Sequence, residues 1–473
     1  MQDMGFFDKI KKLPNDIRFW IILFLLIRLV GITNPPLEVS HNWRQTSVTM
    51  VARNFYEVSP NILYPRIDVG GNTSGITGME FPFLNYLIYL VSCIFGYTHW
   101  YGRLINLVVS SLGIFYFFNL TRKFFTEKVS FYATLVLLAS IWFDYSRKIM
   151  PDTFSVSLTI IGLYYGITYL LATAPRILDL ILYLSFGMLG ILSKIPAGYL
   201  LVFVLPLIFR KDIWLKTKIL FSVATLLMSI PIIFWYFYWV QKLTTIDGLS
   251  FFMGRNVSQA IIEIYTHLND ALAHFYDYAL KYTGFAGFLL GLIFAIIKKD
   301  RKLLMLFGLG FMAFLMVIFK AGFYFTHHSY YIIPFVPVMA LVCGYGIASL
   351  GSKKIRVILT LAIVLEGILS QQHNFFLTEK QQAIAGLEKV MDKFSDPHDL
   401  VVINSNENPT PIYFTHRKGW TATNDQIMDT GFMKDVRAKG GKFLIILKRY
   451  LGENTNPSLI KIFENENYSI YKF

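Results

Sequence analysis

The chain is poor in cysteine: its 473 residues contain only Cys93 and Cys343. Both lie in apolar runs, so the default reading is two buried thiols, and a disulfide scaffold is excluded. Charge is scarce too. Asp, Glu, Lys and Arg make up 16% of the chain and hydrophobic residues 55%, where a soluble chain averages roughly 25% and 45–50%. A chain this long and this apolar is not a soluble enzyme, and it is neither disordered nor collagen-like. No Walker loop, dinucleotide fingerprint, zinc-ligand array or nucleophile elbow stands out, which argues against a soluble nucleotide as substrate. Acids are the scarcer sign of charge, 30 against 44 bases, for a net charge of +14. Most bases sit in short clusters between apolar runs, the pattern that orients a chain in a membrane; nucleic acid is not expected as a partner.

What the chain has in abundance is long apolar runs. They lie at 18–33, 82–97, 103–120, 129–143, 153–172, 177–193, 196–209, 218–240, 282–297, 303–319, 329–350 and 356–371, and a bilayer-spanning helix needs about 20 residues. The first follows Lys9, Lys11, Lys12 and Arg18 with no small-residue cleavage site after it, so it reads as a retained span. The basic clusters are Lys9/Lys11/Lys12, Arg122/Lys123/Lys128, Arg210/Lys211/Lys216/Lys218, Lys298/Lys299/Arg301/Lys302 and Lys353/Lys354/Arg356. The positive-inside rule puts them all in the cytoplasm. Three apolar runs separate the first cluster from the second, yet two points on one side require an even number of crossings. The run at 82–97, short and opened by Glu80-Phe81-Pro82, is the one read as juxtamembrane or re-entrant. About eleven spans result, with the long loops and the tail outside.

That arrangement gathers the unusual polar residues on one face. His41-Asn42-Trp43-Arg44-Gln45, Glu80, Asp144 to Asp152, Lys194 and His327-His328 all fall at the outer surface. Polar groups at membrane depth are costly and are functional candidates by default. Each has a plain alternative. Trp43 and Arg44 are good interfacial anchors. Glu80 is either a partly desolvated carboxylate suited to a general base or an acid at a helix N-terminus. Asp152 is either an N-cap or an acid beside a cationic shelf of Arg147 and Lys148. Lys194 either snorkels or offers a point charge to an anionic lipid headgroup. His327 and His328 precede Tyr330; two ligands do not make a metal site, and a phosphate or hydroxyl contact suits them better. From 374 on the chain turns polar and mixed. Helical spacing at Gln381–Phe394 and strand-like runs at 399–403, 412–414, 443–447 and 468–471 read as a small α/β domain.

Acids and cations at an outer membrane surface, with no nucleotide site, suit sugar transfer from a polyprenyl phosphate: cations stabilise the leaving phosphate and one acid takes the acceptor's proton. Several segments add a resemblance. They are His41-Asn42-Trp43-Arg44-Gln45 with Ala52-Arg53-Asn54-Phe55, Glu80-Phe81-Pro82-Phe83-Leu84 with Phe95-Gly96, and Gly102-Arg103-Leu104. Tyr145-Ser146-Arg147 with Pro151-Asp152, Gly190-Ile191-Leu192-Ser193-Lys194 and Tyr330-Tyr331-Ile332-Ile333-Pro334-Phe335-Val336-Pro337 complete the set. In order and spacing the chain resembles the GT-C membrane glycosyltransferases of family 39, the branch of protein O-mannosyltransferases and lipid A aminoarabinose transferases. The resemblance implies inverting transfer on the periplasmic or lumenal side and juxtamembrane helices in the first outer loop. Many relatives carry Asp-Glu in that loop. Here His41-Asn42 or Arg44-Gln45 stands there, leaving Asp152 or Glu80 as base and His41 in reserve. Relatives of the aminoarabinose type place a lysine near the position of Glu80, so the phosphate contact is expected to move to Arg44, Arg147, Lys148 or Lys194.

The expected protein is thus a polytopic α-helical membrane protein, GT-C-like over 1–373, with a small α/β periplasmic domain at 374–473, in the inner (plasma) membrane. Asp152, Glu80 and His41 are the catalytic candidates. Arg44, Arg147, Lys148, Lys194, His327, His328 and Tyr330 are the candidates for binding the lipid phosphate. The expected partners are a polyprenyl-phosphate sugar, a lipid, glycan or protein acceptor, and membrane lipids. No cofactor is assigned, and a divalent metal stays open. The rival readings are a flippase of lipid-linked sugars, disfavoured by spans nearly free of charge, and an O-antigen ligase or polymerase using a pyrophosphate-linked donor.

Overall fold

The computed structural model describes residues 13–251, 254–448 and 459–473; the basic cluster Lys9/Lys11/Lys12 lies outside them. The chain forms two compact units, each built from three separate stretches.

The first unit takes Met1–Ile32, Arg103–Trp235 and Met253–His373 and is helical. Among the described residues six helices are long and apolar enough to cross a membrane: Tyr101–Arg122, Pro151–Leu171, Leu215–Asp247, Arg301–Ala321, Ser329–Ser349 and Lys353–Phe375. The Leu215–Asp247 helix continues into the second unit. A seventh candidate is the pair Leu268–Ala279 and Lys281–Ile297, bent by 93° at Lys281, whose φ of 60° interrupts the helix. Other expected spans are shorter. Ile177–Ser193 has 17 residues and Ile17–Arg28 has 12, while the run at 196–209 becomes a 3₁₀ helix, Ile195–Val204, with Pro196 in its first turn. Helices Pro151–Leu171 and Ser329–Ser349 are the most enclosed, with 78% and 89% of their apolar windows buried, against 22% for Arg301–Ala321 and Lys353–Phe375. The helix that begins with Pro151-Asp152 is therefore central to its bundle.

The second unit takes Thr33–Gly102, Tyr236–Phe252 and Asn374–Phe473. Its five-stranded sheet has the order Gly419–Thr421, Leu400–Ile403, Gly441–Leu447, Tyr468–Lys472, Ile460–Glu464. The first three strands are parallel and the last two antiparallel. Period-two alternation sorts the side chains of the central strand. Phe443, Ile445 and Leu447 join Val401, Ile403, Met50, Val51 and Phe55 in one core. Leu444 and Ile446 join Val402, Ile427 and Val436 in the other. One face of the sheet is thus closed by helix Asn42–Glu57 from the first loop. Residues 412–414, expected as a strand, lie in helix Thr410–Thr415, with Pro411 in its first turn. Proline is suited to a helix start, and a three-residue apolar run has no period to read.

Candidate active site

In the first unit the site is built at the start of helix Pro151–Leu171. Met150 is its extended N-cap and Pro151 occupies the first turn, a position for which proline's fixed φ is pre-set. Asp152 is therefore inside the first turn and is not the cap. The antiparallel helix Ile177–Ser193 ends at the same level, where Lys194 is extended, with φ −162°. Small residues let these helices approach. A Cβ on Gly162 would come within 2.7 Å of the Gly187 nitrogen, and one on Gly190 within 2.4 Å of Thr159 Oγ1.

The approach joins two sequence-predicted residues. Lys194 Nζ forms an ion pair with Asp152 Oδ1, the side chains being 15% and 2% exposed. The same ammonium lies 4.3 Å from the centre of the Tyr330 ring and 5.4 Å from that of Tyr331, cation–π contacts that hold it in place. Asp152 Oδ2 is buried with no hydrogen-bond partner among the described residues. One carboxylate oxygen is thus neutralised and the other keeps its lone pairs. His328 stacks on Tyr330 at 5.2 Å and 9°, and Tyr330 on Tyr331 at 5.0 Å. Tyr145 and Ser329 share a hydroxyl hydrogen bond of 2.7 Å, tying this aromatic segment to the loop before Asp152.

That loop is held by a residue the sequence reading missed. Asn106 donates its amide to the carbonyls of Tyr145, Lys148 and Met150 at 3.1, 2.8 and 3.2 Å. Its oxygen accepts from Ser110 at 2.9 Å and Thr153 at 3.1 Å. Arg28, also missed, is fully buried and bonds the Phe24 carbonyl and Ser146 Oγ. Each is a lone polar residue in an apolar run, and that was the available signal. Arg147 and Lys148, the expected cationic shelf, are both fully buried. Arg147 donates to the Val30 carbonyl at 2.8 Å, and Lys148 lies 3.4 Å from Asp144. His327 stands apart, stacked on Phe323 at 3.7 Å and facing His267 at 5.0 Å.

The second unit carries the other candidates. His41 begins helix Asn42–Glu57 with a left-handed backbone, φ 57°. One turn on, Arg44 forms a buried ion pair with Glu80, so the acid and the phosphate candidate are each other's counter-charge. Further along the same helix Arg53 bonds Asp68 at 2.7 Å and the Tyr413 carbonyl at 3.1 Å, with Asn54 on the second Asp68 oxygen at 2.8 Å. Burial alone would lower the Arg53 pKa, but the Asp68 charge raises it. Among the described residues no three His, Cys, Asp or Glu side chains converge to hold a metal ion, so no ligand set is assigned.

Residues 80–237 match the family described as dolichyl-phosphate-mannose-protein mannosyltransferase. No curated protein matches the sequence. Among solved structures, ArnT from Cupriavidus metallidurans bound to undecaprenyl phosphate is similar at 12% identity and TM-score 0.58, over 96% of this chain and 98% of that one. Archaeal oligosaccharyltransferase AglB from Archaeoglobus fulgidus, in complex with an inhibitory peptide and a dolichol-phosphate, is similar at 13% identity and TM-score 0.54, over 91% of this chain and 69% of that one. The arabinofuranosyltransferase AftD from Mycobacteria is similar at 11% identity and TM-score 0.53, over 96% of this chain and 41% of that one. The chain is a multi-pass membrane protein with the fold of the GT-C glycosyltransferases. The superfamily resemblance read from its motifs agrees with this.

Proposed function

We propose that the chain transfers a sugar from a polyprenyl-phosphate donor to a lipid, glycan or protein acceptor, with inversion, at the extracytoplasmic face of the inner membrane. The observation that carries this reading is the partly buried Asp152–Lys194 pair beneath the aromatic faces of Tyr330 and Tyr331. The polyprenyl phosphates in the similar structures support the donor class.

An acceptor hydroxyl or amine attacks the anomeric carbon while the bond from that carbon to the phosphate oxygen breaks. The departing electron pair stays on the lipid phosphate. The acceptor's proton passes to Asp152 Oδ2, the oxygen that Lys194 leaves free. Lys194 exchanges its partner, moving charge from Asp152 toward the phosphate as negative charge develops there. This releases the carboxylate to act as base at the moment it is needed. Glu80 and Asp152 each carry one basic partner, Arg44 and Lys194. Asp152 is taken as the base in this reading because its second oxygen is buried with no hydrogen-bond partner among the described residues. His41 and Glu80 are kept as secondary candidates, tested in the same assay. Arg44, Arg147, Lys148, His327 and His328 remain candidates for the phosphate and are tested as alanine variants.

The test is Asp152→Asn in purified protein, given polyprenyl-monophosphate and polyprenyl-pyrophosphate sugars. Removing a general base costs about a hundred- to ten-thousandfold, so transfer from the monophosphate donor should fall by that factor while lipid-phosphate binding persists. A wild-type rate in D152N removes Asp152 from the mechanism. Transfer only from the pyrophosphate donor establishes the ligase or polymerase reading instead.

A further inference from the structure

The first unit holds an interhelical cavity of ≈ 370 Å³, lined by apolar residues that include Phe117, Leu163, Leu200, Phe203, Phe307 and Val338. That volume is at the lower end of the roughly 300–1,000 Å³ usual for ligand pockets. Two cations, Arg210 and Lys302, also line it, and both are exposed, so they mark its mouth. Asp212 occupies the Nε–Nη2 edge of Arg210, at 2.9 and 2.5 Å, leaving Nη1. Lys302 gives one of its three N–H bonds to the Phe124 carbonyl at 3.0 Å.

The cavity is not part of the Asp152 site. Ile160 is its nearest lining residue on the helix that starts beside Asp152, a rise of about 12 Å from Asp152, and the lining runs on away from it to Ile167 at about 22 Å. The mouth belongs to the basic end of the bundle. Segments 122–128, 210–218, 298–302 and 353–356 hold fourteen Lys or Arg and only three acids, Glu127, Asp212 and Asp300. Phe209 and Trp214, at 81% and 80% exposure, flank Arg210. An exposed tryptophan between an apolar helix and a basic cluster is the signature of headgroup depth. The site therefore has a dry slot for a hydrocarbon chain, cations at its rim, and a rim at the level of lipid headgroups.

We propose that this cavity takes one acyl chain of an anionic glycerophospholipid, whose phosphate is held by Arg210 and Lys302. The occupant is set by charge complementarity. A zwitterionic lipid fills the slot equally well but brings a cation to a surface already crowded with them.

Native mass spectrometry of the delipidated full chain tests this with phosphatidylglycerol, phosphatidylcholine and inorganic phosphate as probes. Phosphatidylglycerol should be retained in preference to phosphatidylcholine. The double variant R210Q/K302Q should weaken its binding about thirtyfold, from two cations near an anionic surface, and K302R should restore most of the Lys302 share. Leu163→Trp, which fills the slot without touching the cations, should exclude the lipid. Should that variant fail to fold, the exposed-residue variants still decide. Equal retention of the two lipids, unchanged binding in R210Q/K302Q, no lipid retained by the folded wild type, or inorganic phosphate binding as tightly as the lipid would each overturn the proposal.

Discussion

Asn106 is the residue on which the placement of Asp152 depends. The two N–H groups of its amide are shared among three carbonyls of the loop 145–150, and its oxygen accepts from Thr153, next to Asp152. Each buried polar group left unpaired costs about 1–3 kcal/mol. Asn106→Ala should therefore lower the melting temperature and also reduce kcat. Asn106→Asp should do the same, since a carboxylate cannot donate to carbonyls. Melting curves for both variants that overlay the wild type would show that the clamp carries no weight. Asp152 and Lys194 were each visible in the sequence, because a charge at the end of an apolar run is rare, and Tyr330 was visible through the adjacent His327-His328 pair. Their meeting was not visible, since 42 residues separate Asp152 from Lys194 and only tertiary packing joins them. Burial was equally hidden. Arg147 and Lys148 read as a cationic shelf beside an acid, and nothing in their neighbours showed that both are enclosed.

At the scale of elements, the meeting of Asp152 with Lys194 rests on the close approach of helices Pro151–Leu171 and Ile177–Ser193. A Cβ on Gly190 would meet Thr159 Oγ1 at 2.4 Å, the Thr159 nitrogen at 2.8 Å and the Ser155 carbonyl at 2.9 Å. Backbone atoms cannot step aside as a side-chain tip can. Gly190→Leu should push the Lys194 end away from Asp152 and destabilise the protein by about 1–3 kcal/mol, the usual cost of overpacking. Gly308 is the matched control. It lies in a helix interior with nothing within 4 Å of an added Cβ, so Gly308→Ala should be neutral or slightly stabilising. Thermal unfolding of the two variants checks this, and equal melting temperatures would refute it. Periodicity found the elements it is suited to find. Strands Leu400–Ile403, Gly441–Leu447 and Tyr468–Lys472 fall where alternating or continuous apolar runs placed them. It failed at 412–414, where prolines start a short helix, and at 196–209, where the apolar run is wound as 3₁₀ helix.

At the scale of the whole molecule, sequence composition changes at residue 374, but the compact unit does not begin there. It also draws in Thr33–Gly102 and Tyr236–Phe252, because the sheet needs Met50, Val51 and Phe55 to close its core. His416 fastens two of these stretches. Its Nδ1 bonds Glu388 at 2.6 Å and its Nε2 bonds Glu57 at 2.9 Å. The hydrogen bonds to Glu388 and Glu57 push the imidazole up to about 9 from its ordinary 6.5, and the bond to His416 holds Glu388 below its ordinary 4.5. A raised histidine contributes stability that is complete below 6.5 and lost as pH climbs through about 9. A depressed carboxyl contributes above 4.5 and loses it as pH falls through its lowered value. The contact is thus strongest at about pH 4.5–6.5. His416 is 34% exposed, and ion pairs of that kind contribute about 0.2–1 kcal/mol each. Its φ of 53° calls for a residue that accepts the left-handed region, which makes His416→Asn the clean substitution. The melting temperature of wild type minus that of H416N should be largest near the middle of that window and vanish above about pH 9. A difference that stays constant from acid to alkaline pH would mean that His416 contributes packing and no charge.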